Sequence, residues 1–265
     1  MQPEKKKSFI QTYMEIEITT DILQIDHPKA FSEGRIFLID KPYRWTSFDV
    51  VKKIRSRLQH GLKIKKIKVG HAGTLDPLAT GLVIVCTGKA TKIIDRLMAE
   101  EKHYFAKVKF GATTPSFDLE TEVDREYPYA HIRKDEIETA LNRFLGEQQQ
   151  IPPGFSAIRI DGKRAYQMAR KGEEVEMKAR EVIFHELKLL NYQNSEAEIF
   201  VRCSKGTYIR SFARDLGIAL GSGAYLSNLR RTAIGNYSID KAMTIEYFDN
   251  QFNILIEKWR NNGLI

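Results

Sequence analysis

Gly70-His-Ala-Gly-Thr-Leu-Asp-Pro-Leu-Ala-Thr-Gly81 is the stretch of this chain whose residue types and spacing can do chemistry. It holds one carboxylate, Asp76, fixed before a proline, and one imidazole, His71. Pro77 biases Asp76 toward an extended backbone, and Gly73 and Gly81 allow the loop to come close to a ligand. A loop of this kind can bring its carboxylate close to a bound ligand. Aspartate is equally a favoured turn residue, so capping a short turn explains it as well. The residues alone leave both readings open.

Other signals fail on spacing. Thr87-Gly88-Lys89-Ala90-Thr91 lacks the earlier glycine of a phosphate loop and has Ala90 where Ser or Thr is needed. The six histidines (27, 60, 71, 103, 131 and 185) form no paired-ligand pattern, and no metal is expected. Cys86 and Cys203 make neither a disulfide framework nor a metal site. No G-x-S-x-G elbow is present for a hydrolase.

The elements that must position Asp76 are readable around it. Arg35 to Ile39 reads as a buried strand, and Thr46-Ser-Phe-Asp49 as a helix-capping box. Val50, Val51, Ile54 and Leu58 then follow at helical spacing. Leu82 to Cys86 is a short buried strand, and Ala90 to Met98 a short helix. Residues 104 to 110 alternate, with Tyr104, Ala106, Val108 and Phe110 on one face. An amphipathic helix over Ile137–Leu145 stops at Gly146, and Gln148 to Pro153 reads as a break. A short basic helix over Lys163–Lys171, strands at Val182–Leu190 and Glu196–Cys203, and a helix from Thr207 to Leu220 follow. Tyr225 to Tyr237 leads into a last strand, and the final residues hold one more helix. Strands and helices in mixed order, with neighbouring strands able to pair antiparallel, predict an α+β fold. Residues 1–33 read as an irregular N-terminal extension, 34–242 as the main domain and 243–265 as a short C-terminal segment.

Charge narrows the partner. The 265 residues include 42 Lys and Arg against 34 Asp and Glu, a net +8. Residues 52–68, KKIRSRLQHGLKIKKIK, hold eight of those cations and no acid, so the remainder sums to zero. A concentrated basic strip is the footprint of a polyanion, and Lys63, Lys65 and Lys66 are candidate contacts. A solvated helix face is the other reading of the same strip. The longest apolar run, Leu82–Cys86, is far below the roughly 20 residues of a membrane span. The N-terminal residues lack the apolar core of a secretory signal, so a cytoplasmic protein without a membrane partner is expected.

GHAGTLDPLATG followed by LVIVCTGKATK resembles the signature of the TruB family of tRNA pseudouridine synthases. Ile39-Asp-Lys-Pro42 with Thr46-Ser47 and Asp49-Val-Val51 is similar to the family's opening motif, and Lys102-His-Tyr104 to its second. Ser156-Ala157, Gly162-Lys163 and Tyr166 resemble its mobile thumb, here about 148–180. Cys203-Ser-Lys-Gly-Thr-Tyr-Ile-Arg210 and Leu229-Arg-Arg231 resemble its later motifs. Tyr43-Arg44-Trp45 departs from the family, being bulkier than the glycine-containing step between the Lys-Pro and Thr-Ser pairs.

The resemblance implies a pseudouridine synthase fold, with a central mixed, mostly antiparallel sheet flanked by helices and loops and a thumb-like insertion. It implies isomerisation of uridine at position 55 in the tRNA T-loop, without cofactor or metal; a monomer is expected. Asp76 falls at the family's nucleophile and Arg210 at the cation that keeps this carboxylate ionised. Tyr104 falls where the target base is stacked, His71 where the space of the flipped base is filled, and Leu229 in the base pocket. Lys163, Arg164, Arg170, Lys171, Arg230 and Arg231 are then candidate phosphate contacts. The little chain after Ala242 leaves no room for the additional RNA-binding domain of many relatives. Pseudouridylation of another RNA, and a non-catalytic tRNA-binding or tRNA-folding module on the same fold, are the alternatives.

Overall fold

The computed structural model describes residues 18–156, 158–160, 162–169, 171 and 177–265. It divides into two compact units, one formed by the chain up to Glu100 together with Arg231–Ile265, the other by Glu101–Arg230.

In the first unit the strand Ile36–Lys41 runs antiparallel to Thr80–Thr87, with Leu38 opposite Ile84 and Lys41 opposite Gly81. A short strand, Val69–His71, pairs with the far end of Thr80–Thr87. Both longer strands are buried along nearly their whole length, so they read as continuous apolar runs rather than alternating ones. Leu38, Ala72, Leu82, Ile84, Cys86 and Leu97 form one core cluster.

The capping box predicted at Thr46 is present. Thr46 Oγ1 accepts from the Asp49 backbone N–H, and the Asp49 carboxylate accepts from the Thr46 N–H. The helix it opens, Ser47–Gly61, buries Val50, Val51, Ile54 and Leu58, the four residues picked out by periodicity. A second helix, Ile245–Asn261, is capped by Thr244 and buries Phe248, Phe252, Leu255, Ile256 and Trp259. Asp249 on it pairs with Lys53 at 2.7 Å and Arg57 at 3.1 Å. Part of the basic strip therefore serves the fold, and Arg55 likewise donates to the Val69 carbonyl at 2.8 Å. Lys63, Lys65, Lys66 and Lys68 stand exposed beyond the helix.

Residues 18–33 are tightly attached, unlike the irregular extension expected there. Phe31 is fully buried and meets Phe37, Phe252 and Trp259 at ring-centroid distances of 5.8–6.2 Å. Ile22 and Ile25 are buried with it. Anchors this far apart leave no periodicity to read. Residues 1–17 lie outside the described part.

The second unit is built on antiparallel pairing of Lys102–Phe110 with Glu196–Cys203, of the latter with Arg180–Gln193, and of that with Gly146–Gln150. Lys102–Phe110 alternates as predicted, with Tyr104, Ala106, Val108 and Phe110 inward. The helices Lys134–Phe144 and Ile209–Ala219 bring Phe144 and Phe212 to 5.6 Å, and Phe212 lies 5.1 Å from Phe184. Gly146–Gln150 is a strand where a break was expected. Its GEQQQ sequence has no β-branched or aromatic residue, so cross-strand hydrogen bonding and not propensity makes it a strand.

The last long strand, Ala224–Ile234, belongs to the second unit up to Arg230 and to the first from Arg231. Each ladder described within a unit is antiparallel, and the parallel contacts are isolated bridges such as Ile18 with Ile36. The α+β expectation agrees with this architecture. Among the described residues no helix is long and apolar enough to cross a membrane.

Candidate active site

The Asp76 loop leaves the short strand at His71 and re-enters the sheet at Thr80. Its own sequence supplies little regular hydrogen bonding beyond a turn from Ala79 N–H to the Asp76 carbonyl at 3.1 Å. Much of the rest comes from four residues around it. Arg231, 1% exposed, donates Nε to the Leu82 carbonyl at 2.8 Å, Nη1 to Thr74 at 3.3 Å and Nη2 to Gly73 at 3.1 Å. Ser47 Oγ accepts from the Leu75 N–H at 2.8 Å. The Arg44 N–H donates to the Pro77 carbonyl at 2.8 Å. Lys41 Nζ donates to the carbonyls of Trp45 at 2.6 Å, Pro42 at 3.0 Å and Pro77 at 3.4 Å.

Two expectations change here. Arg231 is not a surface phosphate contact: its guanidinium is enclosed and spent on two loop carbonyls and one of the strand that follows. Gly81 is needed for close backbone approach rather than for a ligand. Its φ is +107°, and a Cβ there would lie 2.3 Å from the Arg231 carbonyl oxygen. Gly73 has φ +95°, a left-handed value that glycine adopts without penalty.

Lys41 is the group sequence reasoning undervalued. It was read only as part of an opening motif, yet it is fully buried and senses the charge of Asp76. Burial pushes its pKa down to about 8, opposed by Asp76 and aided by the Arg231 charge. Three carbonyls around one nitrogen suit the ammonium form, which remains the main form at pH 7. A lysine ending an apolar strand, immediately before proline, was the available signal.

The linkage has a definite sign. Unfolded lysine keeps its proton up to about pH 10.5, whereas folded Lys41 sheds it from about pH 8. Burial of the charge therefore costs stability most below pH 8, and the cost is relieved as pH rises toward 10.5. Lys41→Met carries no such term. The stability of wild type relative to Lys41→Met should rise between pH 7 and pH 10, checked by urea unfolding at both. A gap independent of pH would contradict the lowered lysine pKa.

His71, half-buried at the start of the loop, is held toward its neutral form by burial and by the Arg231 charge. A neutral imidazole can pack against a base without the cost of desolvating a cation.

In the second unit Tyr104 (7% exposed) and Leu229 lie on buried strand faces. Arg210, on the first turn of Ile209–Ala219, is buried and lies 3.6 Å from the equally buried Asp118. It also donates to the Ser116 carbonyl at 3.2 Å and the Phe155 carbonyl at 3.0 Å. Asp118 was not singled out from sequence, and a lone aspartate in a loop offers no signal. Arg210→Met should cost about 3–5 kcal/mol, since a buried carboxylate loses the cation beside it. Adding Asp118→Asn should recover part of that loss in denaturant titrations. Arg230 is partly exposed and Lys171 exposed. Arg170 and the side chains of Lys163 and Arg164 lie outside the described part.

The first unit thus holds a carboxylate on a loop whose backbone is held at Gly73, Thr74, Leu75 and Pro77, with a buried ammonium in its electrostatic field. Such preorganisation suits a nucleophile or a stabiliser of developing positive charge.

Residues 59–209 match the family model described as TruB family pseudouridylate synthase (N terminal domain). Residues 210–262 match the tRNA pseudouridylate synthase B C-terminal domain. The chain belongs to the TruB family of pseudouridylate synthases, and it is an isomerase with the pseudouridine synthase fold. It is 56% identical, over 83% of its length and 94% of the relative's, to the tRNA pseudouridine synthase B of Parabacteroides distasonis. The enzyme of that name from Phocaeicola vulgatus is 55% identical over 82% of this chain and 93% of its own. Among solved structures, a chain from a Cbf5–Nop10–Gar1 complex superposes with TM-score 0.66 at 26% identity. That match covers 91% of this chain and about 60% of the length of the solved one.

Proposed function

We propose that the protein converts uridine to pseudouridine at position 55, in the T-loop of tRNA, with Asp76 as nucleophile. The observation that carries this reading is the clamped Asp76 loop, which bears the family signature in a chain more than half identical to enzymes named tRNA pseudouridine synthase B. In this reading residues 34–242 form the catalytic domain, with a thumb over about 148–180.

The chemistry asks for little beyond a placed carboxylate. The N1–C1′ bond breaks, the uracil turns, and C5 bonds to C1′ while its proton leaves and N1 gains one. Atoms balance without oxidant, reductant or leaving group. Asp76 attacks or supports the electron-poor centre as the glycosidic bond weakens. Tyr104 stacks on the target base, Arg210 keeps Asp76 ionised, Leu229 lines the base pocket and His71 fills the place the flipped base vacates. These four roles rest on the motif positions.

Because C5 loses its hydrogen, tRNA transcribed with uridine tritiated at C5 should release tritium when incubated with the protein. A transcript with cytidine at position 55 should release none. Equal release from both transcripts would move the activity to another uridine, and release from neither would end the reading.

The exposed cations Lys63, Lys65, Lys66 and Lys68 make a testable electrostatic contribution. Each neutralised phosphate contributes a slope of about −0.7 to −0.9 in log K against log salt. Changing all four to Gln should weaken tRNA binding and, with two to three of the four touching phosphate, make the slope shallower by about 1.5 to 3. An unchanged slope in the folded variant would make the strip a solubilising surface.

A further inference from the structure

The Tyr43-Arg44-Trp45 step, bulkier than the family's glycine-containing one, forms a turn built against the Asp76 loop. Trp45 N–H donates to the Pro42 carbonyl at 3.4 Å, closing four residues, and Arg44 in third position has φ +66°. A turn with positive φ at that place normally takes glycine. An arginine there costs about 1–2 kcal/mol. Backbone strain of this kind persists where the surrounding contacts fix it, and it clusters at functional sites.

The turn sits on the reactive loop through two contacts. The Arg44 N–H binds the Pro77 carbonyl, next to Asp76, and Lys41 Nζ bridges the Trp45 and Pro77 carbonyls. Outward, Tyr43 is 47% exposed and Arg44 is exposed, with its guanidinium carbon 5.6 Å from the tyrosine ring centroid. Phe48, on the helix whose Ser47 holds Leu75, is 59% exposed. Exposed aromatic rings beside a cation, fixed to the rim of a loop that acts on an unpaired base, have the composition of a single-strand nucleic-acid contact.

We propose that Tyr43 and Arg44 form a substrate-positioning platform on which an unstacked base next to the target uridine lies against the Tyr43 ring while Arg44 holds an adjacent phosphate. The platform rests on the reading of the protein as a tRNA-uridine isomerase. Its two residues act differently. Arg44 supplies charge and hence salt dependence; Tyr43 supplies a stacking face, which is indifferent to salt.

The test uses the full chain and an unmodified tRNA transcript, with binding measured from low to moderate salt. Arg44→Gly, which suits the turn and should not lower the melting temperature, is expected to weaken binding and make the salt slope shallower by about 0.7 to 0.9. Tyr43→Ala is expected to weaken binding by about 5- to 150-fold with the slope unchanged, and Tyr43→Phe to restore it. Wild-type affinity and slope in both Arg44→Gly and Tyr43→Ala would overturn the platform. So would a Tyr43→Phe variant as weak as Tyr43→Ala, because the ring face would then not be the contact. Tritium release by wild type is measured alongside. Its presence with unaffected variants refutes the platform alone, and its absence refutes the isomerase reading itself.

Discussion

Asp76→Asn is expected to bind tRNA as wild type does and to lose turnover by at least about 10⁴-fold, the scale reached when a catalytic nucleophile is removed. The amide has nearly the same shape. The loop should largely keep its form, because many of the contacts that fix it run through the backbones of Gly73, Thr74, Leu75, Pro77 and Leu82. What disappears is the negative charge that the buried Lys41 senses and the nucleophilic oxygen. Single-turnover assays with enzyme in excess over tRNA separate this loss from any change in affinity. Activity within tenfold of wild type, in protein free of contaminating synthase, would mean that Asp76 only shapes the loop.

Arg231→Met is expected to destabilise the fold by about 3–5 kcal/mol and also to lower turnover. Three carbonyls lose their donor at once in an enclosed site, and each unsatisfied buried acceptor costs about 1–3 kcal/mol, less than additively in a shared cavity. Methionine fills part of the space with nothing to donate. The released loop would then displace Asp76, and a shift near 1 Å from productive geometry costs about 100-fold in rate. Urea unfolding reads the first effect and single-turnover rates on the folded fraction read the second. Arg230→Met, one residue earlier and partly exposed, should change stability by less than about 1 kcal/mol. If the two variants behaved alike, the clamp would carry no special weight.

What the sequence made legible followed from local rules. The Thr46 capping box, the buried face of Ser47–Gly61 and the alternation of Lys102–Phe110 are each set by residues within a few positions of one another. The Asp76 loop was legible as a motif, not as a geometry. Its clamp, Arg231, lies about 150 residues away, and nothing local separates an arginine that binds three carbonyls from one that faces solvent. Lys41 shows the same limit: one of the carbonyls that hold it, that of Pro77, lies 36 residues along the chain. The Gly146–Gln150 strand was missed because a long-range partner overrides poor propensity. Phe31 was missed because two of its three aromatic neighbours come from the other end of the chain. Arg44 shows the reverse. Its departure from the expected small residue was visible at once, and the positive φ explains why glycine would be the ordinary choice there.

The most direct test of the central claim is a carbodiimide map of an unmodified tRNA transcript after incubation with the purified protein. The account predicts one new reverse-transcription stop, one nucleotide 3′ of position 55, with wild-type protein and none with Asp76→Asn. Stops at other uridines, or the same stop with Asp76→Asn, would contradict it.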